Sequence, residues 1–418
     1  MKKLILAMMA ALAMPTALAQ ASLDEIAATP GKAGGVYYAY PTPDSIAWTA
    51  APKGYKAFYI SHYGRHGSRY LISDNDYTAP RDILRRAQSA GALTTLGSDV
   101  LQRLDSVWIE AQGRGGELSP LGVRQHQGIA RRMFNAYPQV FDGGGRYSAC
   151  STVVMRCAHS MFAFVGQLRT MNTSLVIPCE SGQRNMYFLN YHSPESGFYS
   201  SEKGPWYQSW RRFRAEQTKA DRLVNSIFSD AQWVATWLDP VEFMWQMYWV
   251  AVDMQNMETK ISFFDLFTDQ ELYDLWQVFN FNFFACNSSY AAAEGQLTGN
   301  ARNLVHDMVE KADQCISSGG HGADFRFGHD GNIIPLTALL RMTNCYTDEM
   351  RPEHLASAWS DFKISPMASN VQMIFFRNNS GDVLVKLMLN EREIAVDLPS
   401  DIFPYYRWSD LRRYLLSL

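Results

Sequence analysis

Residues 56–69 have the sequence KAFYISHYGRHGSR, in which a histidine lies between two arginines shortly after an apolar run. The apolar residues Ala57 to Ile60 predict a buried strand that enters a turn at Arg65-His66-Gly67. The positive charges of Arg65 and Arg69 lower the pKa of the His66 imidazole and favour its neutral, nucleophilic form. Their guanidinium groups also offer forked donors that match phosphate oxygens. The stretch therefore indicates phosphoryl transfer through His66, with a basic surface turn as the alternative.

The composition indicates a large globular protein that binds a small anion. The chain has 418 residues, of which 47% are hydrophobic and 13% aromatic, and its formal net charge is −3. This length and apolar content predict a sizeable core divided into two or three domains. A nucleic-acid-binding protein normally presents a basic face, so no nucleic-acid partner is expected. An arginine-rich pocket in a mildly acidic protein fits a small anionic ligand better.

The N-terminal segment 1–19 has the pattern of a cleaved export signal. Lys2-Lys3 form the charged part, Leu4 to Leu12 the apolar part, and Ala17-Leu18-Ala19 the cleavage site. The apolar part is too short to span a bilayer, and no later stretch is apolar enough to be a transmembrane helix. We therefore expect the mature protein to be exported and soluble, either periplasmic or secreted, without stable membrane insertion.

The cysteines leave the redox chemistry open. An even number of cysteines in an exported protein permits disulfides, and six allow 15 full pairings. Cys286 and Cys315 lie in one helical region and are the preferred pair for a bridge, whereas buried free thiols are an equally good alternative. The spacing contains neither CxxC nor HExxH, so no metal site is predicted. The six are Cys150, Cys157, Cys179, Cys286, Cys315 and Cys345.

The patterning predicts an α/β protein with a helical insertion. Strand signals fade between residues 180 and 320, so we expect a helical cap at 181–319 and an α/β core formed by 20–180 and 320–418. Val371–Phe376 and Val383–Leu389 flank a turn sequence and predict a hairpin, which makes the sheet partly antiparallel. The other predicted core elements are an extended lead-in at 20–55, helical periodicity at 80–110, a helix from Pro120 to about Tyr137 capped by Ser119, a strand at 147–155, a helix from near Ala158, a strand at 323–327, a helix at 333–341 and a terminal helix at 408–418.

Three predicted strand-to-helix junctions carry polar or cationic side chains at the carboxyl end of the strand. Besides Arg65-His66 with Arg69, these are Arg156 and His329-Asp330. Ligands of open α/β sheets bind outside the carboxyl ends of the strands. We therefore expect the three junctions to converge on one anion site, although they are far apart along the chain.

These motifs together resemble those of the histidine acid phosphatases, the clade-two branch of the histidine phosphatase superfamily. Residues 65–69 are similar to the RHGxR element of the family, 118–122 to its L-T/S-x-x-G helix entry, 151–168 to its ST…R…S…GL stretch and 329–332 to its HDxN element. Order and spacing match over most of residues 50–410.

Two details bear on the subfamily. Ser68-Arg69-Tyr70 is similar to the RHGxRY of multiple inositol polyphosphate phosphatases, although Leu71 stands where the family usually has proline. His329-Asp330-Gly331 resembles the donor motif of bacterial acid phosphatases and phytases. The animal inositol polyphosphate phosphatases commonly carry His-Ala-Glu there. These departures concern the subfamily and not the chemistry.

The resemblance implies a phosphoglycerate-mutase-like fold, with a mixed central sheet flanked by helices and a helical cap. It implies a phosphohistidine intermediate and no cofactor, because arginines supply the positive charge that a metal would otherwise provide. The helix dipole lowers the pKa of Asp330, a bound phosphate raises it again, and an acidic pH optimum follows. The implied roles are nucleophile for His66, proton donor for Asp330 and phosphate binding for Arg65, Arg69, Arg156 and His329.

Three functions follow from this resemblance. The first is an exported phosphomonoesterase that acts on inositol polyphosphates such as phytate, and the second is a broad-specificity or sugar-phosphate acid phosphatase. The third is a non-catalytic phosphate-binding protein, which the presence of both His66 and Asp330 disfavours. A polyphosphate needs several Lys or Arg side chains beyond the catalytic set. Arg184 and Lys203 are candidates, although solvated surface charge is the favoured interpretation of both.

Overall fold

The central sheet has eight strands in the order β3-β2-β4-β1-β5-β6-β7, and β8 pairs with β6. The computed structural model describes residues 23–43, 46 and 48–418. The predicted export signal at residues 1–19 lies outside the described residues. The strands are β1 (Lys56–Arg65), β2 (Arg146–Ser151), β3 (Cys179–Ser181), β4 (Gly322–Gly328), β5 (Asn370–Arg377), β6 (Val383–Leu389), β7 (Arg392–Glu393) and β8 (Tyr405–Arg407).

The sheet is mixed, as predicted. β1 is parallel to β4, which is in turn parallel to β2, whereas β1 and β5 are antiparallel. The predicted hairpin is present as the antiparallel pair β5 and β6. Helices lie on both sides of the sheet, so the predicted class of a mixed α/β sheet flanked by helices is confirmed.

The register aligns the carboxyl ends of three parallel strands. Arg65 pairs with Gly328, and Ser151 pairs with Phe327. The residues that follow β1, β2 and β4 therefore leave the sheet at one edge. This alignment positions the loops that carry the predicted site.

Helices make up most of the remaining chain. The α-helices are α1 (Leu23–Ala28), α2 (Asn75–Ser89), α3 (Thr95–Ala111), α4 (Pro120–Ala136), α5 (Met155–Met171), α6 (Met186–Leu189), α7 (Pro194–Ser200), α8 (Tyr207–Gln217), α9 (Asp221–Ile227), α10 (Ala231–Trp237), α11 (Pro240–Asp253), α12 (Asp269–Asn287), α13 (Gln296–Gly299), α14 (Arg302–Ser317), α15 (Asp330–Leu339), α16 (Pro352–Leu355), α17 (Asp361–Ile364) and α18 (Trp408–Ser417). The 3₁₀ helices are Pro30–Tyr37, Pro138–Phe141, Gln183–Asn185, Met254–Asn256, Phe264–Leu266 and Ala291–Ala293.

The prediction of an extended lead-in is wrong for residues 23–37, whereas the described residues from 38 to 55 form no helix or strand. Its described part begins with α1 and continues as the 3₁₀ helix Pro30–Tyr37. Ile26, Ala33 and Val36 are fully buried, and this segment packs against α11 and α12 of the insertion. Tertiary packing on these later helices stabilises helical turns that a Gly- and Pro-rich composition does not favour by itself.

The helical periodicity predicted over 80–110 belongs to two helices. α2 ends at Ser89 and α3 begins at Thr95. Between them Gly91 adopts φ +68, a left-handed conformation that glycine reaches without steric cost and that ends a helix. The predicted start of α4 is confirmed, since the Ser119 side chain accepts a hydrogen bond from the Gly122 N–H at 3.3 Å.

Three groups of apolar side chains form the core. On one face of the sheet, α4 and α5 pack on residues such as Phe325 and Ile374. On the other face, α14, α15 and α18 cover Tyr63 and Phe375. The third group lies among helices alone and joins α2 and α3 to α9, α11 and α12. The division into a core and a cap at 181–319 stays a prediction.

None of the helices in the described ranges is long and apolar enough to cross a membrane. The six cysteines, all of which are described, are free thiols, so the preferred Cys286–Cys315 bridge is wrong. Cys286 lies at the end of α12 and its sulfur contacts the Ser200 carbonyl at 3.4 Å. Cys315 is buried on α14 beneath the sheet. The two helices present these thiols to different neighbours.

Candidate active site

The loop after β1 is held against the start of α4 by backbone contacts. A Cβ on Gly67 would lie 2.6 Å from the Gly122 Cα, so the two glycines allow a close approach that no side chain permits. The Ser68 carbonyl accepts from the Ser119 N–H at 2.9 Å, and the Gly67 N–H donates to the Ser160 hydroxyl at 3.1 Å. These contacts fix the position of His66.

The His66 side chain is held in one tautomer. Its Nδ1 lies 2.9 Å from the Gly67 carbonyl oxygen, and since a carbonyl can only accept, Nδ1 carries the proton. Nε2 is then the unprotonated nitrogen with a free lone pair. Burial, followed by the charges of Arg65, Arg156 and Arg69, lowers the pKa of His66 well below its usual value. The imidazole is therefore neutral even in mild acid.

Arg65 is fully buried at the end of β1 and has three acceptors. Its Nη1 donates to the Ser365 carbonyl at 2.8 Å and also to the Val36 carbonyl. Its Nη2 donates to the Asp330 carboxylate at 2.6 Å. The guanidinium is thus fixed by two backbone carbonyls on one side, and on the other it forms an ion pair with the predicted proton donor.

Arg69 and Arg156 complete a group of three arginines. The Arg69 Nη1 donates to the Tyr70 carbonyl at 2.8 Å, and its guanidinium carbon lies 4.6 Å from the centre of the Tyr37 ring. Such cation–π stacking orients a guanidinium while leaving its edge N–H groups available. Arg156 is half-buried and the charge of Arg69 contributes to lowering its pKa, after burial. The two cations are therefore close neighbours.

His329 faces His66 across the site. The two rings are 5.7 Å apart and meet edge to face. The His329 Nε2 lies 3.2 Å from the Thr152 hydroxyl. Burial lowers the pKa of His329 to about 4, with the nearby arginines acting in the same direction. His329 is therefore neutral around pH 7 and can donate one N–H to an anion.

Asp330 is the first residue of α15, and His329 occupies the N-cap position of that helix. One carboxylate oxygen binds Arg65 and the other accepts from the Gly331 N–H at 2.8 Å. Burial acts to raise the pKa of Asp330, but the charges of Arg65 and His329 outweigh it and the pKa is lowered. The ion pair with Arg65 is thus a larger influence than the helix end considered from the sequence.

No family model matches this sequence, and no curated protein is a significant relative. The folded chain, however, is similar to multiple inositol polyphosphate phosphatase of Bifidobacterium longum in complex with phosphate, with a TM-score of 0.75 at 18% identity, covering 92% of this chain and 97% of that chain. The chain has the fold of an inositol polyphosphate phosphatase. The predicted resemblance is confirmed at the level of the fold.

Two phytases share this phosphatase fold at lower similarity. The phytase of D. castellii has a TM-score of 0.63 at 14% identity, covering 93% of this chain and 84% of that chain. The phytase of Hafnia alvei, in complex with myo-inositol hexakis sulphate, has a TM-score of 0.52 at 14% identity, covering 88% and 98% of the two chains.

Within this phosphatase fold, the three predicted junctions meet at one edge of the sheet. All six predicted site residues are neighbours, linked by the Arg65–Asp330 ion pair, the His66–His329 ring contact and the mutual repulsion of the arginines. Their roles in catalysis and phosphate binding stay predictions. No group of three or more His, Cys, Asp or Glu side chains in the described part of the chain has a metal-binding arrangement.

Several residues of the site were not predicted from the sequence. The Val36 and Ser365 carbonyls hold Arg65, and Tyr37 stacks on Arg69. Asn256, in the 3₁₀ helix that follows α11, accepts from the Ser68 hydroxyl at 2.7 Å and donates to the Tyr37 carbonyl at 2.9 Å. Backbone carbonyls and residues from distant helices leave no signal in a single sequence. Thr152 and Ser160 could have been found, because both belong to the ST…R…S…GL stretch.

The two candidate cations of the insertion lie on the surface. Arg184 is exposed and its Nε donates to Glu180 at 2.6 Å. Lys203 is exposed as well. Both observations agree with the interpretation of solvated surface charge. Arg114 lies nearer the site, since its guanidinium is 4.3 Å from the centre of the Tyr70 ring, and it pairs with Glu117 at 3.4 Å.

Proposed function

We propose that the protein is an exported phosphomonoesterase that dephosphorylates inositol polyphosphates such as phytate through a phosphohistidine. The single observation that carries the proposal is the tautomer and the surroundings of His66. Its Nδ1 is bonded to the Gly67 carbonyl, which leaves Nε2 as a free nucleophile among three arginines. Export is proposed from the signal pattern at residues 1–19.

In the first step, the His66 Nε2 attacks the phosphorus in line with the leaving oxygen. The N–P bond forms as the P–O bond breaks, and Asp330 transfers its proton to the departing alkoxide. Arg65, Arg69 and Arg156, with His329, bind the equatorial oxygens, where charge accumulates. In the second step, water attacks the phosphohistidine, so that a P–O bond forms as the N–P bond breaks, and the water gives its proton to Asp330. When phosphate leaves, Asp330 loses this proton to solvent and pairs again with Arg65, which restores the free enzyme.

The ion pair of Asp330 with Arg65 has a consequence for the first step. In the unliganded site this pair keeps Asp330 ionised, which is the wrong form for a donor. A bound phosphate brings negative charge next to the carboxylate and shares the Arg65 donors, and both effects raise the pKa of Asp330. Substrate binding thus favours the protonated form of Asp330, which is the form that can donate a proton.

Two solved structures of similar fold support the choice of inositol polyphosphates as substrates. Bifidobacterium multiple inositol polyphosphate phosphatase has been solved in complex with inositol hexasulfate, and Hafnia alvei phytase with myo-inositol hexakis sulphate. Tyr70, after the second arginine, supports the same choice.

A broad-specificity or sugar-phosphate acid phosphatase is the second candidate, and one observation favours it. Arg114 lies next to the proposed catalytic loop, and it already pairs with Glu117 at 3.4 Å. A ligand with many phosphates requires additional free cations, whereas a monophosphate does not.

Phosphate release from phytate and from glucose-1-phosphate, measured side by side at pH 4.5 and 7, separates the two substrates. A ³²P-labelled substrate quenched in alkali tests the intermediate. The wild type and a His159→Ala variant, which alters an exposed histidine of α5, should both retain label, and His66→Ala should retain none. Labelled His66→Ala protein would remove His66 as nucleophile, and phosphate binding without any turnover would indicate the non-catalytic alternative.

A further inference from the structure

A buried carboxylate lies behind the arginines and takes no part in the proposed reaction. Asp361, the first residue of α17, is fully buried. Its Oδ1 accepts from the Trp276 indole N–H at 3.0 Å and from the Phe362 N–H at 2.8 Å, and its Oδ2 accepts from the Val36 N–H at 3.2 Å. These donors are neutral, and burying a carboxylate without a cation is unfavourable. We therefore expect the buried Asp361 carboxylate to have a function that offsets this cost.

Asp361 is connected to Arg65 through the backbones of two residues, Val36 and Ser365. The Val36 N–H is bonded to the Asp361 carboxylate, and the Val36 carbonyl accepts from the Arg65 Nη1. The Ser365 N–H donates to the Asp361 carbonyl at 2.7 Å, and the Ser365 carbonyl accepts from the same Nη1 at 2.8 Å. Both backbone acceptors of Nη1 therefore belong to residues whose N–H groups donate to Asp361.

The same carboxylate is connected to Arg69. Tyr37, whose ring stacks on the Arg69 guanidinium at 4.6 Å, follows Val36 directly. Gly35 precedes Val36 with φ +54, and a Cβ at this position would overlap the Asp361 Oδ2. Only glycine allows both this conformation and this approach. The segment Gly35–Tyr37 thus packs directly against the Asp361 side chain.

We propose that Asp361 is a positioning residue that holds Gly35–Tyr37 and Ser365 in place, so that Arg65 and Arg69 are oriented for phosphate. This inference rests on the proposed phosphate-binding function of the site. Asp361 acts through the backbone and does not touch the substrate. Binding is expected to depend on it because a guanidinium displaced by a fraction of an ångström loses paired hydrogen bonds to phosphate oxygens.

Asp361→Asn tests the proposal. The amide replaces one acceptor oxygen by an NH₂ group, which then faces an N–H donor and pushes it away. We expect the dissociation constant of inorganic phosphate, measured by isothermal titration calorimetry on the full-length mature chain, to rise at least tenfold. Asp324→Asn is the matched control. Asp324 is buried in β4 and accepts from the Tyr59 hydroxyl at 2.7 Å, so its variant should lower the melting temperature while phosphate affinity is unchanged.

Gly35→Ala provides a second, independent disturbance of the same contact. It keeps the carboxylate but forces Val36 away from it, so phosphate affinity should again fall at least tenfold. If Asp361→Asn does not fold, the phosphate affinity of Gly35→Ala tests the proposal by itself. Wild-type phosphate affinity in either folded variant overturns the proposal, even if its melting temperature is lower. A wild-type protein that binds no phosphate would instead contradict the proposed function.

Discussion

At the scale of single residues, the geometry of the site depends on which acceptors the two terminal nitrogens of Arg65 bind. Two backbone carbonyls hold Nη1, which leaves Nη2 to the Asp330 carboxylate. The proposed donor and a proposed phosphate ligand are therefore bonded to each other before substrate arrives. This arrangement ties the protonation of Asp330 to occupancy of the phosphate site, because the same guanidinium serves both.

An Asp330→Asn variant should lose leaving-group protonation while it keeps an oxygen that can accept from Arg65. We expect kcat on an alkyl phosphate to fall by about 10²–10⁴-fold, the usual contribution of a general acid. An aryl phosphate such as p-nitrophenyl phosphate, whose leaving group needs no proton, is the control and should lose much less. Steady-state kinetics on both substrates measure the difference, and an equal loss on both would exclude Asp330 as the donor.

At the scale of elements, the start of α4 acts as a support for the loop that carries His66. Ser119 caps the helix through the Gly122 N–H and also donates its hydroxyl to the Ser68 carbonyl at 3.1 Å. Gly122 has no side chain, which lets the helix approach the loop backbone. The L-S-x-x-G motif therefore has a physical reason that the sequence alone does not reveal.

Gly122→Ala should displace this loop. The added Cβ would overlap the Ser68 carbonyl oxygen, and overpacking of this kind costs about 1–3 kcal/mol of stability. We expect a lower melting temperature and a loss of kcat/KM by at least about tenfold. Gly166→Ala in α5 is the matched control, since a Cβ at this position meets no atom within 4 Å. It should retain activity and gain up to about 1 kcal/mol; equal behaviour of the two variants would contradict the interpretation.

At the scale of the whole molecule, buried histidines make the fold sensitive to acid. Burial lowers the pKa of His62 and of His126 to about 3, and the pKa of His329 to about 4. These groups take up protons more readily in the unfolded chain. Their contribution to stability is complete above pH 6.5 and is lost as the pH falls toward 4. Asp361 and Asp253, whose pKa values burial raises to about 7 and about 6, act in the opposite direction.

The free energy of unfolding should therefore decrease between pH 6.5 and pH 4.5. Each buried histidine contributes a slope of up to about 1.4 kcal/mol per pH unit. His66, whose pKa is also lowered by burial, adds to His62, His126 and His329, so the histidines outnumber the opposing carboxylates Asp361 and Asp253. Urea denaturation at several pH values measures the slope. His62→Phe, in a site lined by Phe164 and Phe327, should give a shallower slope than the wild type. A slope that is flat, or unchanged in the variant, would contradict this account.

The sequence by itself determined the properties that are local. An apolar run predicted β1, a strand-like pattern predicted β4, and two strand-like segments flanking a turn predicted the β5–β6 hairpin. The residue types at 65–69 and 329–330 indicated an anion site before any contact was known. The rule that parallel strands present their carboxyl ends at one edge was enough to expect that these junctions meet. Residues 23–37 of the lead-in and the Cys286–Cys315 bridge were predicted wrongly, because both depend on neighbours that are distant along the chain.

Only the tertiary structure decided how the arginines are held. Val36 and Asp361 are 325 positions apart, and the two carbonyls that bind Arg65 carry no side-chain signal. The stacking of Tyr37 on Arg69 and the link from Asn256 to Ser68 join the lead-in, the loop after β1 and the 3₁₀ helix that follows α11. The chemistry of the site is a property of residue types in a local pattern. The orientation of its charges comes from packing between distant segments, which no local pattern specifies.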